Sequence, residues 1–436
     1  MDAKGANSEL VRLSATEARR LIGERKLTAT ALAEAYLARI AEREPAVSAW
    51  QFIDRDLVML QASDRDSRPA SGALHGVPVA MKDIIDTEDM PTEYGSPIYR
   101  GHVSSRDAVC VAMLRAAGAI ILGKTVTTEF ATFSPGKTRH PHAWAHSPGG
   151  SSSGSAAAVA DWHVPVAFGT QTAGSILRPA AYNGVVGYKP TYGRFNYDGI
   201  KLTSFSLDTL GFMTNYFEDL HLISGVLTGL GRATSSAVAG KAPRIGICRT
   251  PWWDQGSEEM HRVFEETVTK LGRSGAKVSE VALPSFFDQA ADAQHIIMTF
   301  ENAICLRHEY EHHRALLTPK LRGLIEEGRS RTASQVQNAR VLARNCRAYI
   351  EGLFAGLDVL IAPSAPTTAP LGIDATGDPI YERMWTCLGN PCVGWRTGSG
   401  SNGLALGVQA IAAIGADDSL IDFSAWMASH TRQPNP

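Results

Sequence analysis

No stretch of the 436-residue chain is apolar for long enough to cross a membrane. Neither charge dominates: 42 Lys and Arg stand against 44 Asp and Glu, and no block of like charges occurs. A general nucleic-acid binder or a membrane-surface protein would need a basic face, so both classes are excluded. The six cysteines, Cys110, Cys248, Cys305, Cys346, Cys387 and Cys392, lack C-x-x-C spacing and sit in apolar contexts. Reduced thiols in a cytoplasmic protein are the simplest reading. The N-terminal MDAKGANSELVR is polar and has no apolar h-region, which is not the pattern of a secretory signal. There is also no internal repeat and no interdomain linker. What remains is a long, evenly composed chain that can bury about 75% of its unfolded surface without disulfide or metal support.

The texture of that chain changes along its length. Ser14-x-x-Glu17 reads as a capping box opening a helix, and a second helical pattern follows over residues 31–44. From about residue 75, short apolar runs alternate with glycines and helical segments: GVPVAM, DAVCVAMLRAAG, AIILGKT, then SAAAVADW, VPVAFG and GVVGYKP. Alternation of helices with short buried strands predicts an α/β fold. A further strand, helix and strand span residues 244–282, residues 287–355 are mostly helical, and LDVLIAP (357–363) reads as a returning strand. The Pro- and Thr-rich segment after it is expected to be a surface loop of the kind that lies over a site. One domain over residues 1–436 is expected, with N-terminal helices (1–60), a catalytic core (75–230) and a helical substrate-side insertion (280–355).

Three short motifs fit their surroundings badly. Gly118-Ala-Ile-Ile-Leu-Gly-Lys-Thr125 matches a P-loop, but Ala-Ile-Ile-Leu is strand-like and the helix precedes it, the reverse of a phosphate-binding turn. His308-Glu-Tyr-Glu-His312 matches H-E-x-x-H within a helical pattern, which would place both imidazoles on one side as zinc ligands. Its neighbours are polar all round and no third ligand follows at a familiar interval. A zinc hydrolase built on His308 and His312 therefore stands as an alternative that a chelator would separate. Gly150-Ser-Ser-Ser-Gly154 matches G-x-S-x-G around Ser152, yet KTRHPHAWAHSP before it cannot be the strand that a nucleophile elbow requires. The His140-x-His142 pair with His146 reads as loop polarity.

A different set of residues coheres. Lys82 ends the apolar run GVPVAMK, and GTQTAGSILRPA presents Ser175 in a turn bracketed by Gly169 and Gly174. A serine hydroxyl needs a base, and a lysine serves if burial lowers its pKa towards neutrality. Taken singly, Lys82 fits a surface lysine and Ser151 and Ser175 fit turn serines; the combination does not.

With these residues in view the chain resembles the amidase signature family. The resemblance rests on GVPVAMKD (76–83), AGAIILGKT (117–125), SPGGSSSGSAAAVA (147–160), GTQTAGSILRPAAYNGVVGYKPT (169–191) and SLDTLG (206–211), and extends more weakly over almost the whole chain. It implies a single large domain with a central mixed β-sheet covered by helices on both sides. It also implies that Lys82 is the base, Ser175 the nucleophile and Ser151 a bridging serine beside a cis peptide bond, since the interval from Ser151 to Ser175 is the one the family uses. Backbone N–H groups of Thr172, Ala173, Gly174 and Ser175 would form the oxyanion hole, and neither cofactor nor metal would be required. GTQT in place of the commoner GTDT, and Arg178 followed by proline, resemble the malonamidase-like branch, in which such an arginine holds a substrate carboxylate. The expected activity is hydrolysis of a small amide, including one bearing a carboxylate, to acid plus ammonia or amine. The alternative within the family is an ammonia-supplying amidotransferase subunit. The expected partner is a small-molecule amide, with neither nucleic acid nor membrane, and base rates favour a homodimer.

Overall fold

The computed structural model describes residues 8–229 and 241–433. Eleven strands are named here in chain order: β1 (Trp50–Ile53), β2 (Pro78–Lys82), β3 (Ile120–Thr125), β4 (Val166–Gln171), β5 (Val186–Lys189), β6 (Thr209–Thr214), β7 (Arg244–Ile247), β8 (Lys277–Glu280), β9 (Val359–Pro363), β10 (Cys392–Ser399) and β11 (Ala405–Ile411). They form one mixed sheet in the order β1-β3-β2-β4-β6-β5-β10-β11-β9-β7-β8. β2 runs parallel to β3 and β4, and β7 runs parallel to β8 and β9. The strands between are antiparallel, from β4 through β6, β5, β10 and β11 to β9.

The sheet is apolar on both faces because both are covered by helices. Val79 and Met81 of β2, Ile121 of β3 and Val166 and Phe168 of β4 enter one core. Their neighbours Ala80, Ile120, Leu122 and Ala167 enter the other. The period of two thus assigns alternate residues of one continuous apolar run to opposite cores. The second core holds the helices Ala15–Gly23, Ala29–Val47 and Ser153–Ala160. The first is closed by Val109–Ala116, Glu218–Thr228, Glu258–Arg273 and Asp417–Thr431, among others.

Two local expectations need adjusting. Ser14 caps its helix by accepting from Glu17 N at 3.0 Å, but the Glu17 carboxylate pairs with Arg20 instead of returning to the cap, so the capping box is half closed. The loop after β9 is not simply surface: Ser364, Ala365 and Pro366 are buried, and His146 bridges to Leu371 and Gly372 across it. Among the described residues, no helix is long and apolar enough to cross a membrane.

Candidate active site

β2 ends in Lys82, and the buried interior leaves its ammonium few partners. Nζ lies 2.7 Å from Ser151 Oγ and 2.9 Å from Thr170 Oγ1, and all three groups are buried. Burial lowers the Lys82 pKa to about 7, with the more distant Asp208 carboxylate pulling the other way. Ser151 follows a cis Gly150–Ser151 peptide bond and precedes the helix Ser153–Ala160. That helix carries only small residues because it enters a narrow space: a Cβ at Gly154 would lie 2.3 Å from Ala49 O and 2.4 Å from Val126 N.

Ser175 leaves β4 through the turn 172–175, and its carbonyl accepts from Ser152 N at 3.3 Å, tying the two serine segments together. Ser175 and Arg178 line a cavity with Thr172, Ala173, Phe133 and Met298. The cavity is tight, with room for about one water molecule.

All four carbonyls of the turn are engaged. Gln294 Nε2 donates to Thr172 O at 2.9 Å, Thr386 Oγ1 to Ala173 O at 2.6 Å, and Arg178 N to Gly174 O at 2.9 Å, while Ser152 N serves Ser175 O. Asp208 accepts from the hydroxyls of Thr172 and Thr203 and from the N–H of Thr203 and Ser204. Its pKa is raised by burial and held back by these donors.

Arg178 is almost fully buried. Its Nη1 donates to Gly377 O at 2.7 Å and its Nη2 to Gly150 O at 2.6 Å and Thr376 Oγ1 at 3.3 Å. Nε makes no hydrogen bond among the described residues. The guanidinium thus joins the loop after β9 to the residue preceding Ser151. Glu382 is buried close by, its carboxylate without a hydrogen-bond partner among the described residues, and burial lifts its pKa well above the usual carboxylate range. A Cβ at Gly174 would lie 2.8 Å from Pro379 Cβ and 3.1 Å from Glu382 Oε2, so only glycine fits there.

The short motifs fall elsewhere. Lys124 of the P-loop match lies near the end of β3 and donates to Ile85 O at 2.7 Å and to Thr92 Oγ1. Ser152 is buried and donates to Thr170 O at 3.4 Å. His308 and His312 sit with ring centroids 4.8 Å apart on the exposed side of the helix Arg307–His313. The intervening Glu309 turns inward to accept from Tyr99 and Lys201. Among the described residues no set of three His, Cys, Asp or Glu could hold a metal, which leaves the zinc alternative without a ligand set. His140 has both ring nitrogens engaged, by Tyr182 O and by His142 N.

Sequence reasoning brought forward Lys82, Ser151 and Ser175 but gave no role to Thr170, Gln171, Asp208, Gln294 or Thr386. The first two lie inside GTQT and Asp208 inside SLDTLG. Gln294 and Thr386 carry no local signal.

The profile of the Amidase family matches residues 31–421. The chain belongs to the amidase family. A protein of Acidothermus cellulolyticus that forms part of a glutamyl-tRNA(Gln) amidotransferase is 33% identical, with the alignment covering 98% of this chain and 96% of that protein. The native peptide amidase of Stenotrophomonas maltophilia superposes with a TM-score of 0.81 at 29% identity, covering 98% of each chain. A structure from a vestigial protein complex, tied to the origins of an s-triazine catabolic enzyme, gives 0.88 at 26% identity, covering 97% of this chain and 100% of that one. This amidase is accordingly an enzyme that hydrolyses the C–N bond of amides.

Proposed function

We propose that this amidase is a metal-independent serine hydrolase of small amides working through Ser175, Ser151 and Lys82. The observation that carries the reading is the buried Lys82 Nζ held 2.7 Å from Ser151 Oγ with its pKa lowered to about 7. A neutral Lys82 accepts the Ser151 hydroxyl proton while Ser151 takes the proton of Ser175, and Ser175 Oγ attacks the amide carbonyl. The oxyanion is met by the N–H groups of the Thr172–Ser175 turn, a contribution worth about 2.7–4 kcal/mol per donor in comparable sites. The proton returns through Ser151 to the leaving nitrogen as the C–N bond breaks. Water then cleaves the acyl-enzyme, so that amide plus water gives acid plus ammonia or amine.

The narrow cavity beside Ser175, part apolar at Phe133 and Met298, supports a small acyl group. A substrate carboxylate at Arg178 would share the guanidinium with Gly377 O and Gly150 O, and Nε is the group left to greet it. An amide panel with and without carboxylates, followed by ammonia release, tests both statements. Ser175→Ala is expected to abolish turnover, and a chelator to leave it unchanged. Arg178→Ala is expected to raise KM more for anionic than for neutral amides. A Ser175→Ala enzyme with full activity would end the reading, and equal losses on both substrate classes would end the Arg178 role.

The second reading, an ammonia-supplying component of an amidotransferase, is supported by the 33% identity to a protein named as one over nearly its full length. Activity that appears only when a second protein is added would favour it.

A further inference from the structure

The hydrogen bonds on the carbonyl side of the 172–175 turn have one consistent direction, and it is set by side chains far away in sequence. Arg383 Nη1 lies 2.8 Å from Gln294 Oε1. Because a guanidinium only donates, the amide oxygen of Gln294 must face it and the NH₂ must face Thr172 O. Gln171 Oε1 accepts from Ile176 N at 2.9 Å and Leu177 N at 3.0 Å, which turns its NH₂ towards Thr386 Oγ1 at 2.9 Å. The Thr386 hydroxyl, already accepting there, gives its own proton to Ala173 O. Gln171, Gln294 and Thr386 are all fully or almost fully buried, so water does not compete for these bonds. In a planar trans peptide the N–H points opposite to the C=O. Carbonyls 172 and 173 drawn towards Gln294 and Thr386, and carbonyl 174 taken by Arg178 N, therefore aim the N–H groups of Ala173, Gly174 and Ser175 the other way.

We propose that Gln171, Gln294 and Thr386 are positioning residues that aim the oxyanion-binding N–H groups of this amidase. The inference rests on the reading of Ser175 as nucleophile. It also gives a physical role to the glutamine of GTQT: an aspartate at 171 would be shorter and, when ionised, acceptor-only, so it could not donate to Thr386. The helix Ala290–Cys305 that supplies Gln294 also supplies Met298 and Asn302 to the cavity wall, and Met298 Sδ lies 3.6 Å from Gln294 Nε2.

The test compares Thr386→Val with Thr386→Ser in the full chain, and Gln294→Met as the same removal from the other helix. Loss of an oxyanion donor lowers kcat by about 10²–10³-fold in comparable sites, and a misaimed donor is expected to lower it by about 10-fold or more. KM should change less than about twofold, since the ground-state carbonyl depends little on these donors. Affinity for an aldehyde analogue of the amide, which forms a tetrahedral adduct, should fall in step with kcat, while affinity for the carboxylate product stays constant. Thr386→Ser should recover most of the lost kcat. Wild-type kcat in Thr386→Val and Gln294→Met, or equal weakening of aldehyde and product, would overturn the proposal. Thermal unfolding of each variant separates misfolding from misaiming, and a Thr386→Ser enzyme that folds but does not recover also counts against it. Turnover by Ser175→Ala would instead remove the nucleophile reading beneath it, so the two failures are distinguishable.

Discussion

Two lysines at the ends of neighbouring parallel strands of this amidase are equally buried and meet different partners. Lys82 closes β2 and Lys124 lies one residue from the end of β3, one register step apart, with Lys82 opposite Thr125 and Met81 opposite Lys124. Burial lowers both, to about 7 and about 8. Their partners differ. Lys124 faces the carbonyl of Ile85, the hydroxyl of Thr92, whose own proton is directed to Ile85 O at 3.5 Å, and, at 3.7 Å, the Asp83 carboxylate, which burial pushes up to about 6. The carboxylate favours the charged form of Lys124, and a carbonyl can only accept from it. Lys82 faces two hydroxyls and no carboxylate in contact. A hydroxyl can donate as well as accept, so a neutral amine at Lys82 has somewhere to take a proton from, whereas beside Lys124 the one hydroxyl is turned to Ile85 O and a carboxylate favours the ammonium. Burial brings a lysine pKa towards neutrality, and a carboxylate in direct reach, present at Lys124 but not at Lys82, favours the charged form.

The comparison breaks most sharply by substitution. Lys82→Met is expected to lower kcat by about 10⁴-fold or more, as removal of a member of a catalytic unit does, whereas Lys124→Met should lose at least about a hundredfold less, measured by ammonia release on folded enzyme. Equal losses would erase the distinction. Stability should reverse the ranking: Lys124→Met strands a buried Asp83 and is expected to cost about 3–5 kcal/mol in denaturant unfolding. The smallest effects are those of pH. With neutral Lys82 as the proposed base, kcat/KM should rise about tenfold per pH unit below about 7 and level off above it. Burial pushes the Lys82 pKa of the folded state down to about 7, against about 10.5 for an unfolded lysine. The unfolded chain therefore binds more protons in that window, and stability should rise with pH across it. Lys82→Met should flatten that rise; an unchanged slope would mean that the lysine is not the titrating group.

Much of this was legible in the sequence where the chain is locally regular. The runs GVPVAMK, AIILGKT and VPVAFG stand between glycines and helical segments, and they are β2, β3 and β4. β10 and β11 went unread because CVGWRTGS is broken by glycines and mixes Arg, Thr and Ser into a run that only its neighbours in space make a strand. β1 is four residues long, too short for a periodicity. At the candidate site, the lysine and serines stood in recognisable motifs. Their supports did not, since Gln294 and Thr386 meet the turn from 122 and 213 positions away, and contacts at that range leave no pattern in either segment.

That separation also sets a schedule for synthesis. A chain growing at about 5–20 residues per second presents Lys82 and both serines roughly ten to forty seconds before Thr386 exists. During the same interval the free edge of β5, which later pairs with β10 through Lys189 and Cys392, has no neighbour. The nascent chain thus carries Lys82, Ser151 and Ser175 before the hydrogen bond from Thr386 to the turn exists, beside an open strand edge of the kind that invites mispairing. The turn beside Ser175 therefore gains its full set of hydrogen bonds only late in the growth of the polypeptide, and the β5 edge stays open until β10 has been made.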